Sequence, residues 1–346
     1  MLRMLLALIL SAVLVLLTGP KVIPALRKMK FGQTIYDLGP QSHKQKQGTP
    51  TMGGVMIAFG VVVAALVALL INYKGGVSFM LGLLAISLLS MAVGFADDYI
   101  KVVKKRSLGL TPWQKIAGQV FTAVAFSAFC YFHPQVGSKV IIPFANIEWD
   151  LGIFYIPLLS LTIIFIVNSA NLNDGLDGLL SGVAGVGGMA WASIALFCTL
   201  AVVETNPEYA GNLQSISVFG MAVMGACIGF LRFNHHPATV FMGDTGSMLL
   251  GGATVGMAML LRQPFLLLLI AFTMVASSVS VIIQRYYYKA TRKIFGEPRR
   301  LFKMTPIHHH FELSGMSENK VVVMYVIVTV VLSLIALWSL QGLQLV

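Results

Sequence analysis

The sequence predicts an all-α polytopic membrane protein, and three observations carry that prediction. Hydrophobic residues make up 57% of the 346 residues and charged residues only 11%, with a mean hydropathy of +0.83; two soluble domains are excluded. Apolar runs long enough to cross about 30 Å of hydrocarbon, roughly 20 residues each as helices, recur along the chain. They are continuously apolar rather than alternating, and helices satisfy their own backbone hydrogen bonds in lipid, so a β-barrel is disfavoured.

Ten runs are predicted, with cores at about 2–19, 52–72, 77–96, 114–132, 152–168, 179–203, 214–231, 246–261, 264–285 and 321–342, in one integral membrane domain over 1–346. The first follows a single Arg3 and shows no small-x-small cleavage site before Gly19-Pro20, so it reads as a retained helix rather than a removed signal peptide. Placing the 24 Lys and Arg residues on alternate sides leaves only Arg3, Lys74, Lys139 and Arg262 on one side. The positive-inside rule makes the other side cytoplasmic and puts both termini outside the cytoplasm. Around Val140-Ile141-Ile142 and Ile147-Trp149, alternation predicts a small extracytoplasmic β-hairpin at 137–150.

A net charge of +11 is compatible with nucleic-acid binding, but the basic residues flank membrane helices, where anionic headgroups attract them. No nucleic-acid partner is expected. Cys130, Cys198 and Cys227 lie within apolar runs without metal-type spacing and read as buried free thiols.

Long cytoplasmic loops carry most of the ionisable residues, and five of the seven aspartates fall in three clusters there. The first is Asp97-Asp98, directly after the third run. Adjacent carboxylates repel, which suits proton transfer or Mg²⁺ recruitment; the alternative is a helix end balanced by Lys101, Lys104, Lys105 and Arg106. Lys115, opening the fourth run, is placed to meet a phosphate or to snorkel. The second cluster, Asn171 to Gly178, puts Asp174 and Asp177 three apart, on one face if the turn is helical, with glycines that admit a ligand; helix capping is its alternative. The third, Phe241-Met242-Gly243-Asp244-Thr245-Gly246, sets a carboxylate in a Gly-rich turn at a helix N-terminus, able to hold Mg²⁺ or to cap the helix.

Two further segments share that side. Pro306-Ile307-His308-His309-His310-Phe311-Glu312 offers imidazoles for phosphate contact, proton donation or metal; consecutive histidines cannot all ligate one ion in regular structure, which favours phosphate. Gly48-Thr49-Pro50-Thr51-Met52-Gly53-Gly54 lacks the order of a P-loop but can cradle a phosphate or sugar. Helix centres almost free of charge, and no internal repeat, argue against an ion or lipid transporter.

Together and in order, these motifs resemble the bacterial phospho-N-acetylmuramoyl-pentapeptide-transferases, the MraY translocases, over nearly the whole chain. The resemblance implies transfer of phospho-N-acetylmuramoyl-pentapeptide from UDP-N-acetylmuramoyl-pentapeptide to undecaprenyl phosphate, giving lipid I and UMP, in the bacterial inner membrane. It also implies Mg²⁺ dependence, ten helices, a homodimer among membrane lipids, and a cytoplasmic active site. Residue by residue, Asp97 and Asp98 match the acidic pair, with Asp98 the candidate base, and Asp244 matches the Mg²⁺ carboxylate. Asn171, Asp174 and Asp177 match the nucleoside and sugar face and Phe241 the ring that stacks on uracil, with Asn234 and Gln284 as polar neighbours. Lys46, Lys115 and His308, His309 and His310 would meet phosphates or the donor sugar, beside Thr49 and Thr51 of the Gly-Thr segment. Asn173 departs from the expected Thr. The alternative within the superfamily is a polyprenyl-phosphate N-acetylhexosamine-1-phosphate transferase for another cell-wall polymer, against which the triple-His loop argues.

Overall fold

The computed structural model describes residues 1–29, 48–71, 76–103 and 109–341. Within them each predicted run is helical: α1 (Leu2–Lys28), α2 (Gly54–Leu70), α3 (Ser78–Val103), α4 (Pro112–Phe132), α5 (Tyr155–Asn173), α6 (Leu179–Val202), α7 (Pro207–Asn234) and α8 (Gly243–Leu260). The ninth run divides into α9 (Leu267–Ile270) and α10 (Phe272–Phe295), and a short α11 (Ile307–Glu312) precedes α12 (Glu318–Trp338). Among the described residues seven helices are long and apolar enough to cross a membrane, and the ninth run makes an eighth if its bent halves form one span. The other two runs, α2 and α8, are helices that fall outside this set. α2 has only 17 residues, and the polar first turn of α8 dilutes its hydropathy.

That dilution has a structural reason. Every residue of α8 except Asp244 is buried, and α2, α3 and α5 pack around it, so α8 faces protein rather than lipid. Its glycines permit the approach: a Cβ at Gly251 would lie 2.8 Å from the Val167 Cα, and one at Gly252 3.0 Å from the Ile86 carbonyl oxygen.

The helices of several runs extend beyond the predicted cores, α3 to Val103, α7 from Pro207 and α10 to Phe295, and two boundaries have a local cause. α1 does not stop at Gly19-Pro20 but carries Pro20 and Pro24 inside it to Lys28, because a membrane helix packed on its neighbours tolerates the lost backbone bonds. The ninth run breaks after Ile270 and bends by 86°, where Ala271 leaves helical geometry.

The predicted hairpin is present as β1 (Lys139–Ile142) and β2 (Ile147–Asp150), antiparallel with Val140 opposite Trp149. α4 runs from Lys115 to this hairpin, which therefore lies at the far end of the helices from the aspartate clusters. Both ends of the described chain lie on the hairpin side: Asn146 Nδ2 donates to the Gln341 carbonyl at 2.9 Å, and Arg3 bonds Gln214 near the start of α7.

Candidate active site

α3 delivers the acidic pair to a closed environment. Asp97 and Asp98 are each 3% exposed, so they are not helix-end acids facing water. Leu110 N donates to Asp97 Oδ1 at 2.8 Å, while Thr245 donates both its backbone N–H (2.9 Å) and its hydroxyl (2.7 Å) to Asp98 Oδ2. Gly243 makes this packing possible: its φ is +72°, and a Cβ there would come within 2.6 Å of both Asp98 Oδ2 and Thr51 Oγ1.

Asp244 occupies the first turn of α8, but the cap position is Met242 and no side chain caps the helix. Its carboxylate is turned to cations instead. Lys115 Nζ lies 2.8 Å and Lys101 Nζ 3.3 Å from Asp244 Oδ2, and Asn171 Nδ2 donates to Oδ1 at 2.8 Å and to Ser247 Oγ at 2.9 Å. Lys101 also stands 2.5 Å from Asp97 Oδ2. Oxygens of Asp97, Asp98 and Asp244 all lie within 4.8 Å of one another. Three hard carboxylate donors in that space, with no sulfur, fit Mg²⁺.

The Gly-Thr segment docks on the same turn. Phe241 N donates to the Pro50 carbonyl (2.8 Å), Gly53 N to that of Phe241 (2.9 Å) and Gly54 N to that of Met242 (3.0 Å). Any Cβ at Gly54 would strike the Gly246 backbone. These contacts hold Thr51, buried, beside Gly243, with Thr49 half-buried at the segment's entry. Lys46 lies outside the described residues.

Asp174 and Asp177 do not share a helical face. α5 ends at Asn173 and α6 starts at Leu179, so both sit in the turn between them, and Gly178 at the cap position of α6 makes no side-chain cap. Gly178, with φ of +79°, turns the backbone into α6. Asp177 Oδ2 accepts from Ala238 N (2.9 Å) and His236 Nδ1 (3.1 Å), while its own N–H donates to Glu318 Oε1 at 2.7 Å. Burial, then the negative charges of Asp244, Asp98 and Asp177, pushes the Asp174 carboxyl up to about 8. Asn234 spans two loops: Oδ1 accepts from Gly178 N and Ser181 Oγ, each at 3.1 Å, and Nδ2 donates to the Val240 carbonyl at 3.0 Å.

The three histidines lie on α11 and point apart, as successive helical positions must. His308 is fully buried against Gly175, where a Cβ would strike its ring, so it adjoins the Asp174 turn. His309 Nδ1 is 2.7 Å from Glu312 Oε2, and His310 Nδ1 accepts from Lys303 N at 3.1 Å. Gln284 uses both ends of its amide on the chain, accepting from Leu301 N and Phe302 N at 3.0 Å each and donating to the Phe302 carbonyl at 3.1 Å.

Asp97, Asp98, Lys115, Asn171 and Asp244 thus converge with Thr51, while His308 abuts the Asp174 turn and Gln284 supports a loop. Lys101, read from sequence as charge balance, belongs to the converged group; its spacing of four from Asp97 on one helix face was the available signal. Thr245, His236 and Glu318 also hold site carboxylates, and nothing local in the sequence marks the last two.

The Glycosyl transferase family 4 model matches residues 80–262, and a phospho-N-acetylmuramoyl-pentapeptide-transferase signature matches residues 46–57. Among similar proteins, the phospho-N-acetylmuramoyl-pentapeptide-transferase of Caldicellulosiruptor bescii is 42% identical over 97% of each chain. Those of Desulfitobacterium hafniense and Clostridioides difficile are each 43% identical, over 93% and 95% of each chain. With its carboxylates, lysines and Gly-Thr segment assembled at one end of a membrane helix bundle, the chain belongs to the phospho-N-acetylmuramoyl-pentapeptide-transferase family.

Proposed function

We propose that the protein transfers phospho-N-acetylmuramoyl-pentapeptide from its UDP conjugate to undecaprenyl phosphate, forming lipid I and UMP at the cytoplasmic face of the bacterial inner membrane. The observation that carries this reading is the convergence of Asp97, Asp98 and Asp244 with Lys101 and Lys115 at one end of apolar helices. A lipid phosphate at headgroup depth and a water-soluble diphosphate can meet there. The excess of Lys and Arg on that side supports the cytoplasmic assignment.

Each residue then has a task. Asp98, with Oδ2 bonded twice by Thr245, takes the last proton of the acceptor phosphate through Oδ1. An acceptor oxygen attacks the sugar-bearing phosphorus, the bond to the UMP oxygen breaks, and the sugar-phosphate passes to the lipid. Direct in-line attack is preferred to a phospho-aspartate, since such transfer needs positioning more than covalent catalysis. Lys101 and Lys115 offset the charge of the diphosphate. Asp244, with Asp97 and Asp98 beside it, would hold Mg²⁺, which neutralises the diphosphate and stabilises the leaving UMP when bound. Asn171, Asp174, Asp177, Asn234 and Phe241 form the donor's nucleoside and sugar face, with Gln284 bordering it, and Lys46, Thr49, Thr51 and His308 to His310 meet its phosphates and sugar. The family resemblance also supports a homodimer, which sedimentation of the purified protein tests.

The test offers purified protein undecaprenyl phosphate with either UDP-N-acetylmuramoyl-pentapeptide or UDP-N-acetylglucosamine, and reads UMP with and without Mg²⁺. Mg²⁺-dependent UMP from the muramoyl donor alone is expected. UMP from the other donor alone would reassign the chain to another polymer, and UMP from neither would sink the enzyme reading.

A further inference from the structure

The β-hairpin lies along its end of the helix bundle rather than standing off it. At its base Leu151 N donates to the Ser138 carbonyl at 3.1 Å, and midway Ile141 N donates at 2.7 Å to the carbonyl of Arg262, on the connection after α8. At the turn Asn146 reaches Gln341 beyond α12, and the ring of Phe144, a residue held at φ +66°, stands 6.2 Å from that of Trp338. The strands thus cross from the α4–α5 connection to the end of α12.

Its two sides differ in chemistry. Cross-strand partners share a face, so the register puts Val140 with Trp149 and Ile142 with Ile147 on one side, and Lys139 with Asp150 and Ile141 with Glu148 on the other. The second side is charged and balanced within itself: Glu148 pairs with Lys139 at 2.9 Å and with Arg262, and Asp150 accepts from Ser138 Oγ at 2.7 Å. The first side is apolar. Val140 is buried and the Trp149 ring stacks on Phe265 at 6.4 Å, yet Ile147 and Trp149, like Phe144 at the turn, are more than half exposed. This side therefore extends past the residues that cover Val140.

Two exposed helix stripes lead to that overhang. Leu161, Leu158 and Phe154 follow one another at helical spacing on α5 and just before it, and Val331, Leu334 and Trp338 do so on α12. A bilayer that covers these stripes continues onto the hairpin, where Trp and Phe rings gather at the helix ends as they do in an interfacial layer. We infer that the apolar side of the hairpin rests in the interfacial layer of the leaflet opposite the carboxylate site, against lipid. Continuity with the two stripes favours lipid over a water-soluble partner, and the balanced charges of the other side mean that zwitterionic lipid suffices. The inference stands on the hairpin and the helix ends beside it, independently of the donor and acceptor assigned above.

The test sets a nitroxide label on one introduced cysteine at a time, the three native cysteines being buried. Ile147→Cys is the probe and Trp149→Cys a second probe on the same side; Lys139→Cys on the charged side and Leu161→Cys on the α5 stripe are the references. Each labelled full-length protein is placed in phosphatidylcholine nanodiscs, open to solvent on both faces. Electron paramagnetic resonance then reads collisions with oxygen, which partitions into lipid, and with a water-soluble nickel chelate. At Ile147 and Trp149 nickel collisions should be largely lost and oxygen collisions kept, as at Leu161, whereas Lys139 should meet nickel. Nickel collisions at both probes equal to those at Lys139 would put the face in water and overturn the inference. Loss of both kinds of collision at the probes would mean that protein, a second copy included, covers the face, and overturns it too. A melting temperature matching wild type shows that each labelled protein has folded.

Discussion

Thr245 gives Asp98 two hydrogen bonds, from its backbone N–H at 2.9 Å and its hydroxyl at 2.7 Å, both to Oδ2. The residue after the Asp244 carboxylate therefore holds the acid of a different helix, and the Gly-Asp-Thr turn couples two of the three clusters. In the transfer proposed above, the other Asp98 oxygen is left to accept the proton.

Asp98→Asn should lower turnover by at least about 100-fold at every pH, because the amide keeps the shape and loses the base. Thr245→Val retains the backbone bond and loses only the hydroxyl, so turnover should fall by about fivefold, the worth of one hydrogen bond. Steady-state UMP release measures both. Full turnover by Asp98→Asn would remove Asp98 as the base, and a phospho-aspartate trapped in a single-turnover quench would establish a two-step route.

A divalent cation bound at Asp244 would compete with Lys115, whose ammonium lies 2.8 Å from Oδ2. Lys115→Gln should therefore lower the Mg²⁺ concentration needed for half-maximal UMP release while reducing the maximal rate by about 100-fold, through lost stabilisation of the diphosphate. A raised Mg²⁺ requirement would mean that Lys115 supports the ion rather than competes with it.

Asp174 makes a pH prediction whose sign follows from its raised carboxyl. With the folded value near 8 and the ordinary value at 3.8, the folded protein holds a proton that the unfolded chain releases between those limits. Stability without Mg²⁺ should decline as pH rises from about 4 to about 8 and then level off. Asp174→Asn removes this contribution, so its melting temperature should fall less than that of wild type between pH 5 and pH 8. Parallel curves would show that Asp174 ionises freely.

The ten hydrophobic runs, the side on which the charges gather and the identity of the acidic clusters were legible in the sequence. Each depends on local composition: a helix in lipid needs about 20 apolar residues whatever surrounds it, and a Lys, Asp or Gly is visible where it stands. The helix-cap alternatives could not be dismissed that way, because a capping Asp and a liganding Asp share the same neighbours in sequence. Tertiary structure removed the capping role by bringing Lys115 and Asn171 to Asp244 and Thr245 to Asp98. It also turned Asp177 toward His236 and Glu318, gave Gln284 to a loop, and bent the ninth run. Those outcomes depend on contacts between residues up to 147 positions apart, and distance along the chain carries no record of such pairings until the helices pack.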